Sequence, residues 1–193
     1  VYNRVFNIIK LYSKQRRLVQ LVTEQIYEKE KDNKMMIGIL SHIVEFRNGE
    51  SGSHVLHINK ITGMLLERLI QKTDKYDISW HDRYLITTAS ALHDIGKIGV
   101  DEKILNKPGR LTADEFEIMK MHTMIGASML HSLTMYQDEE LVRVATEICR
   151  WHHERYDGRG YPDGLKGDEI PISAQVVSVA DVYDSIASER VFK

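Results

Sequence analysis

No proline occurs before Pro108, and all three prolines (Pro108, Pro162, Pro171) and eight of the twelve glycines fall from Gly96 onward. Proline and glycine are the residues that most reliably end helices. A first half almost free of both is therefore constrained toward long helices. Residues 1–48 read as one helix with a lone Gly38. Val1, Val5, Ile8, Tyr12, Gln15, Val19, Val22 and Ile26 follow the 4-3 spacing of a heptad seam, with only Gln15 polar. That pattern predicts a dimerising coiled coil. Leu11, Leu18 and Leu21 widen the stripe, which also suits one amphipathic helix packed on its own domain. The charged run EKEKDNK (28–34) reads as a solvated junction. The predicted organisation is a linker helix over 1–35 and a domain over 36–193.

Five further helices follow from the same reasoning. One runs from Ser51 or Ser53, as N-cap, through HVLHINKITGMLLERLIQK. The next begins near Ser79 and stops at Gly96. After the connector IGVDEKILNKPGRLT, Thr112 and Glu115 form a capping box that opens the fourth. DEELVRVATEICRWHH makes the fifth, and ISAQVVSVADVYDSIASER the sixth. The run QVVSVADVY has strand-like composition, but no second strand is available to pair with it. The predicted fold class is all-α.

Bulk properties exclude several functions. A net charge of −2 argues against binding a nucleic-acid duplex. Apolar runs are far too short for a membrane span, and no charged-then-apolar leader opens the sequence. The single cysteine, Cys149, precludes an internal disulfide and suits the cytoplasm.

Chemistry concentrates where polar residues interrupt apolar helices: His93-Asp94 in ALHDIGKIG, His122 in MKMHTMIG, His152-His153 in ICRWHHE and Asp181 in VSVADVY. Burying such groups is costly unless they are paired or bind metal. One alone is usually a satisfied core residue. Four sites on four helices point to a metal centre inside a helical bundle. The other doublet, His81-Asp82, reads as exposed and helix-capping. The nitrogen and oxygen ligand set suits iron, manganese, zinc or nickel. Structural zinc sites usually carry cysteine, so the set favours catalysis. Paired ions about 3.5–4 Å apart activate a bridging hydroxide for in-line displacement at phosphorus, so phosphoester hydrolysis is the favoured chemistry.

HDIGK (93–97), His122 and HHERYDGRGYPDGLKGDEIP (152–171) closely resemble the HD-GYP family of cyclic di-GMP phosphodiesterases, an HD-superfamily helical bundle. FRNGESGSH (46–54) and ADVYDSIASERVFK (180–193) extend the likeness over about residues 36–193. The resemblance implies metal ligation by His54, His93, Asp94, His122, His152, His153 and Asp181. Glu50 matches a glutamate that ligates a third ion in some members; its other reading is a carboxylate favouring a helix N-terminus. The resemblance implies two or three divalent ions, iron or manganese before zinc or nickel. Lys97 matches a lysine facing the phosphate, and Asp94 and Lys97 are the implied catalytic pair. Arg190 and Lys193 match substrate-phosphate contacts, on one face if the last helix persists. Arg159 and Tyr161 are candidates for guanine or phosphate contact, or for a structural role in the loop.

Asp184, one turn beyond Asp181, supports a ligand or lies at the surface. His42, His57, His81 and His131 match no motif position. Family domains usually continue beyond this region, so C-terminal helices are expected to be missing. The N-terminal helix resembles the linker after a response-regulator receiver domain. Implied partners are cyclic di-GMP, a second copy of the chain, an upstream receiver domain and diguanylate cyclase (GGDEF) domains. The implied activity is hydrolysis of cyclic di-GMP to pGpG or on to GMP. The rivals are another cyclic dinucleotide or nucleotide as substrate, and a dimeric module that binds nucleotide without turnover.

Overall fold

A computed structural model describes residues 2–48 and 53–188, with the side chains of residues 2–5 and 8 left aside. The described helices are α1 (Tyr2–Arg47), α2 (Ser53–Lys72), α3 (Trp80–Ala89), α4 (Glu102–Leu105), α5 (Ala113–His131), α6 (Glu140–Trp151) and α7 (Ile172–Ala187). No strand occurs among the described residues, only an isolated bridge between Asp157 and Lys166. Among the described residues, no helix is long and apolar enough to cross a membrane. Contacts divide the chain into two units, residues 1–36 and 37–193.

In the first unit the seam residues Tyr12, Val19, Val22 and Ile26 are exposed, as are Leu11, Leu18 and Leu21. Val1 and the side chains of Val5 and Ile8 lie outside the described residues.

The second unit is built on one core. Ile58 and Leu66 of α2, Ile86 and Ala89 of α3, Ala127 and Leu130 of α5, Ala145, Ile148 and Cys149 of α6, and Val176, Val177 and Ala180 of α7 pack together. Their three- and four-residue spacings are those of single helix faces. Two of the starts follow the predicted chemistry. Ser79 caps α3 reciprocally with Asp82, and Thr112 caps α5 reciprocally with Glu115.

Several boundaries differ from expectation. The third helix does not run unbroken to Gly96. It ends at Ala89 and tightens into 3-10 turns over Ser90–Leu92 and Ile95–Gly99. The connector contains the short helix α4, started by the Asp101 side chain accepting from the Lys103 N–H. Helix α6 stops at Trp151, so His152 and His153 follow its last turn. Helix α7 ends at Ala187, and Ser188 is already extended. Arg190 and Lys193, expected on one face if the helix persisted, lie outside the described residues. Ser53 is the first residue of α2, and Ser51, the other predicted cap, is likewise outside.

Candidate metal centre

The core faces of four helices run on into a polar cluster within the second unit. On α2, His54, Ile58, Thr62 and Leu66 are all buried at four-residue intervals. On α5, His122 precedes Gly126 and Leu130 in the same register. On α6, Ala145, Ile148 and Cys149 lead to His152, and on α7 Val177 and Ala180 lead to Asp181 and Asp184. His93-Asp94 arrives differently, on the strap between the two 3-10 turns rather than on a helix. Gly96 lets that strap lie against α5: a Cβ there would fall 1.9 Å from the His122 carbonyl oxygen. No side chain fits in that gap.

Four of the imidazoles are oriented by their Nδ1. His93 donates to the Ser90 carbonyl (2.9 Å), His122 to that of Met119 (2.8 Å) and His152 to that of Ile148 (2.9 Å). A carbonyl only accepts, so Nδ1 carries the proton and Nε2 presents its lone pair. His54 Nδ1 likewise meets Asp184 Oδ2 at 2.7 Å. The hydrogen bond with His54 and that with Ser188 outweigh burial and keep the Asp184 carboxyl below its usual value, so it accepts from His54. These outward bonds are the ones that typically fix metal-ligating histidines.

The freed Nε2 atoms converge. Donor atoms of Asp94, His122, His152 and His153 all lie within 4.8 Å of one another, and so do those of His54, His93 and Asp94. Asp94 is common to both groups. Its Oδ1 is 3.3 Å from His122 Nε2 and 3.7 Å from His152 Nε2, while its Oδ2 is 3.2 Å from His93 Nε2. Asp181 Oδ1 stands 3.6 Å from His54 Nε2, beside the second group. His93 Nε2 and Asp94 Oδ1 are buried without a hydrogen-bond partner. Two lone-pair nitrogens, of His122 and His152, face each other at 3.4 Å. A buried gathering of acceptors around one carboxylate is what a divalent cation satisfies. The residues fit metal.

Lys97 Nζ lies 2.6 Å from Asp94 Oδ2. Burial works against the Asp94 charge, but Lys97 and then His93 outweigh it and hold the carboxyl well below its usual value. For His93, burial opposes the proton, yet the charge of Asp94 at 3.2 Å, with Asp181 behind, raises the group to about 9. Burial lowers His122 to about 4 against the pull of Asp94, and burial with His152 and His122 lowers His153 too. His122 and His153 are thus held neutral beside a charged carboxylate, the protonation that metal binding needs.

The loop after His153 folds back over the centre. The Tyr161 ring stacks on His153 with centroids 4.8 Å apart, and Phe116 meets it edge-on at 6.2 Å. Lys120 Nζ lies over both rings. Gly158 takes a positive φ of 77°, whereas Gly160 is needed for space, since a Cβ there would sit 2.3 Å from the Arg155 nitrogen. Buried Glu154 accepts from the Asp163 and Gly164 N–H groups through Oε1 (2.7 and 3.0 Å). Arg150 and Trp151 both donate to the Asp163 carboxylate.

Of the residues singled out in the sequence, the fold brings His54, His93, Asp94, His122, His152 and His153 together, with Asp181 and Lys97 adjoining and Tyr161 on the rim. Arg159 is exposed, its N–H bonded to Asp157 Oδ1, and does not join the cluster. Glu50, Arg190 and Lys193 lie outside the described residues. Sequence reasoning missed His57, whose Nδ1 is 2.9 Å from Asp184 Oδ1. It also missed Glu154, Asp163, Phe116 and Lys120. For His57 the available signal was its place three residues after His54 on one helix.

A family model described as HD domain matches residues 34–193. A cyclic di-GMP phosphodiesterase of Thermotoga maritima is 36% identical over 198 residues, covering 99% of this chain and 50% of its own. The cyclic di-GMP phosphodiesterase response regulator RpfG of Xanthomonas campestris is 36% identical over 176 residues, covering 91% and 44%. A 3′3′-cGAMP-specific phosphodiesterase of Vibrio cholerae is 37% identical over 161 residues, covering 83% and 29%. The chain thus spans half or less of the length of these relatives.

Proposed function

This chain belongs to the HD-domain family, within its HD-GYP group, and on that footing we propose that it is a metal-dependent phosphodiesterase that hydrolyses cyclic di-GMP to the linear dinucleotide, and to GMP where hydrolysis runs on. The observation that carries this reading is the sharing of Asp94 between two groups of imidazoles whose donor atoms, with those of Asp94, lie within 4.8 Å of one another. When bound, paired divalent ions supply Lewis acidity at the phosphoryl oxygens and lower the pKa of water. In this reading Asp94, His122, His152 and His153 would hold one ion, and His54, His93, Asp94 and Asp181 would hold the other. The two groups are alike in their nitrogen and oxygen donors, which suit iron, manganese, zinc or nickel, and the resemblance puts iron or manganese first. Glu50 is assigned a third ion on the resemblance.

The chain's own residues supply the rest. Lys97, held on Asp94, places a cation where charge grows on the attacked phosphate. Tyr161, which burial raises above its usual pKa, stays a neutral phenol and gives a base a ring to stack on. Arg159, Arg190 and Lys193 are assigned substrate contacts on the resemblance. Residues 1–35 form the linker and 36–193 the phosphodiesterase domain. The exposed stripe of α1 supports homodimerisation, the RpfG likeness supports an upstream receiver domain, and the GYP loop supports a diguanylate cyclase (GGDEF) partner. Buried Cys149, the single cysteine, supports a cytoplasmic setting.

The 37% likeness to a 3′3′-cGAMP-specific enzyme favours a second reading, with that dinucleotide as substrate. Protein loaded anaerobically with iron or manganese and given each dinucleotide in turn decides between them by chromatography of the products. Linear pGpG or GMP from cyclic di-GMP supports the first reading. Turnover of 3′3′-cGAMP alone selects the second, and no product from either in any metal overturns both.

A further inference from the structure

Arg47, the last residue of α1, has no role in the site as assembled so far. Its Nη1 donates to the carbonyls of Lys97 (3.1 Å) and Ile98, and its Nη2 to that of Val100 (2.9 Å). Its own carbonyl accepts from Asn106 Nδ2 at 3.0 Å, so its main chain is fastened just beyond the same strap. The guanidinium contacts all fall on the 3-10 turn Ile95–Gly99 and on Val100, the residue that caps it. Carbonyls at the end of a helical turn have no partner within it, and a turn this short holds itself weakly. A guanidinium satisfies them as a C-terminal cap does, and its planar fork can hold several at once.

Lys97 rides on that turn. Main-chain bonds also tie the ends of the turn, Lys97 N–H to Asp94 O (2.9 Å) and Val100 N–H to Lys97 O (3.1 Å). The Lys97 ammonium must stay within 2.6 Å of Asp94 Oδ2 while Asp94 also serves both imidazole groups. A small rotation of the turn would carry the ammonium off the centre.

We infer that Arg47 is a positioning residue, holding the turn 95–99 so that Lys97 stays on Asp94, without itself touching substrate or metal. The catalytic part of this inference rests on the phosphodiesterase reading; the structural part does not. Misplacing a charged group by about 1 Å can cost on the order of 10²-fold in rate. The effect therefore belongs in kcat.

The test compares the full chain, metal-loaded, with Arg47→Ala and Arg47→Lys. Amide exchange at Lys97 and Val100 rises at least about tenfold in Arg47→Ala, with exchange in α2, α5 and α6 unchanged. kcat on cyclic di-GMP falls about 10–100-fold, KM stays within about twofold, and metal per chain is unchanged. Arg47→Lys, a single point donor, falls between, and millimolar guanidinium restores part of the loss in Arg47→Ala. If Arg47→Ala loses its helical circular dichroism, Arg47→Lys carries the same measurements. The inference is overturned if exchange over 95–100 stays at the wild-type rate. It is equally overturned if exchange rises throughout the domain, or rises locally while kcat holds. If wild-type protein turns over no cyclic dinucleotide, the phosphodiesterase reading fails and the exchange pattern alone decides the clamp.

Discussion

The dipeptide His-Asp occurs twice, at 81–82 and at 93–94, near the two ends of one helical stretch. At the first, His81 Nε2 reaches Glu140 across an exposed surface and Asp82 closes a capping box with Ser79. At the second, His93 is 1% exposed, and Asp94 is shared by two groups of imidazoles. The difference lies in what precedes each pair. Asp-Ile-Ser-Trp leads into the first, so the pair sits on the opening turn, where N–H groups want an acceptor. Leu85, Ile86 and Ala89 lead into the second, so the pair follows a core stripe and inherits its burial. One carboxylate spends its oxygens on its own backbone. The other has nowhere to spend them except on a cation or on Lys97.

The sharpest way to break this contrast is to neutralise the buried acid. Asp94→Asn removes the one charge common to both groups and leaves Lys97 beside a neutral amide. Metal content should fall to a small fraction of wild type, and turnover by at least about 10³-fold, since each ion's action is worth several kcal/mol. Elemental analysis and product chromatography check both. Wild-type metal content in Asp94→Asn would show that the cluster does not depend on the shared carboxylate, and would undo the comparison.

A middle-sized effect is expected one layer out. Asp184 is 4% exposed and holds His54 Nδ1 at 2.7 Å and His57 Nδ1 at 2.9 Å. Asp184→Asn keeps the shape but loses the charge and one acceptor. Supports of this kind typically carry 10–100-fold in metal affinity, so about that loss is expected in competition with a chelator. An unchanged affinity would mean that packing alone orients His54.

Asp184 also shows how much could be read without coordinates. Its spacing from Val177 and Ala180, seven and four residues, puts it on the buried face of α7, so a supporting role was legible. The helices other than α4 were legible for the same reason: each is defined by a local period and, in α3 and α5, by a local cap. The strap was not. Ala-Leu-His-Asp-Ile-Gly continues a helical pattern without a breaker until Gly96, and only the approach of α5 explains why the helix gives way at Ala89. The pinning of the loop by Glu154 and Asp163 was also hidden, because both acids follow the helix and look solvated in sequence. Arg47 resisted for a further reason: its partners are main-chain carbonyls some 50 residues away, and no residue type records them.

The smallest effect falls on the exposed doublet. Asp82 Oδ2 accepts from the Ser79 hydroxyl (2.6 Å) and N–H (2.9 Å), and the Asp82 N–H donates to Ser79 Oγ (3.1 Å). The hydroxyl's bond first, then the N–H, hold the Asp82 carboxyl below its ordinary 3.8. A carboxyl so lowered stabilises the fold above its unfolded value, and that contribution disappears as pH falls through the folded value. Asp82→Ala should therefore cost about 1 kcal/mol at neutral pH, seen as a melting temperature roughly 2–4 °C lower. The gap between variant and wild type should close as the pH is taken from about 5 to below 3. Bound metal and turnover should match wild type throughout. Loss of metal in Asp82→Ala would mean that the surface pair reaches the centre after all, and the contrast between the two doublets would have to be drawn on some ground other than burial.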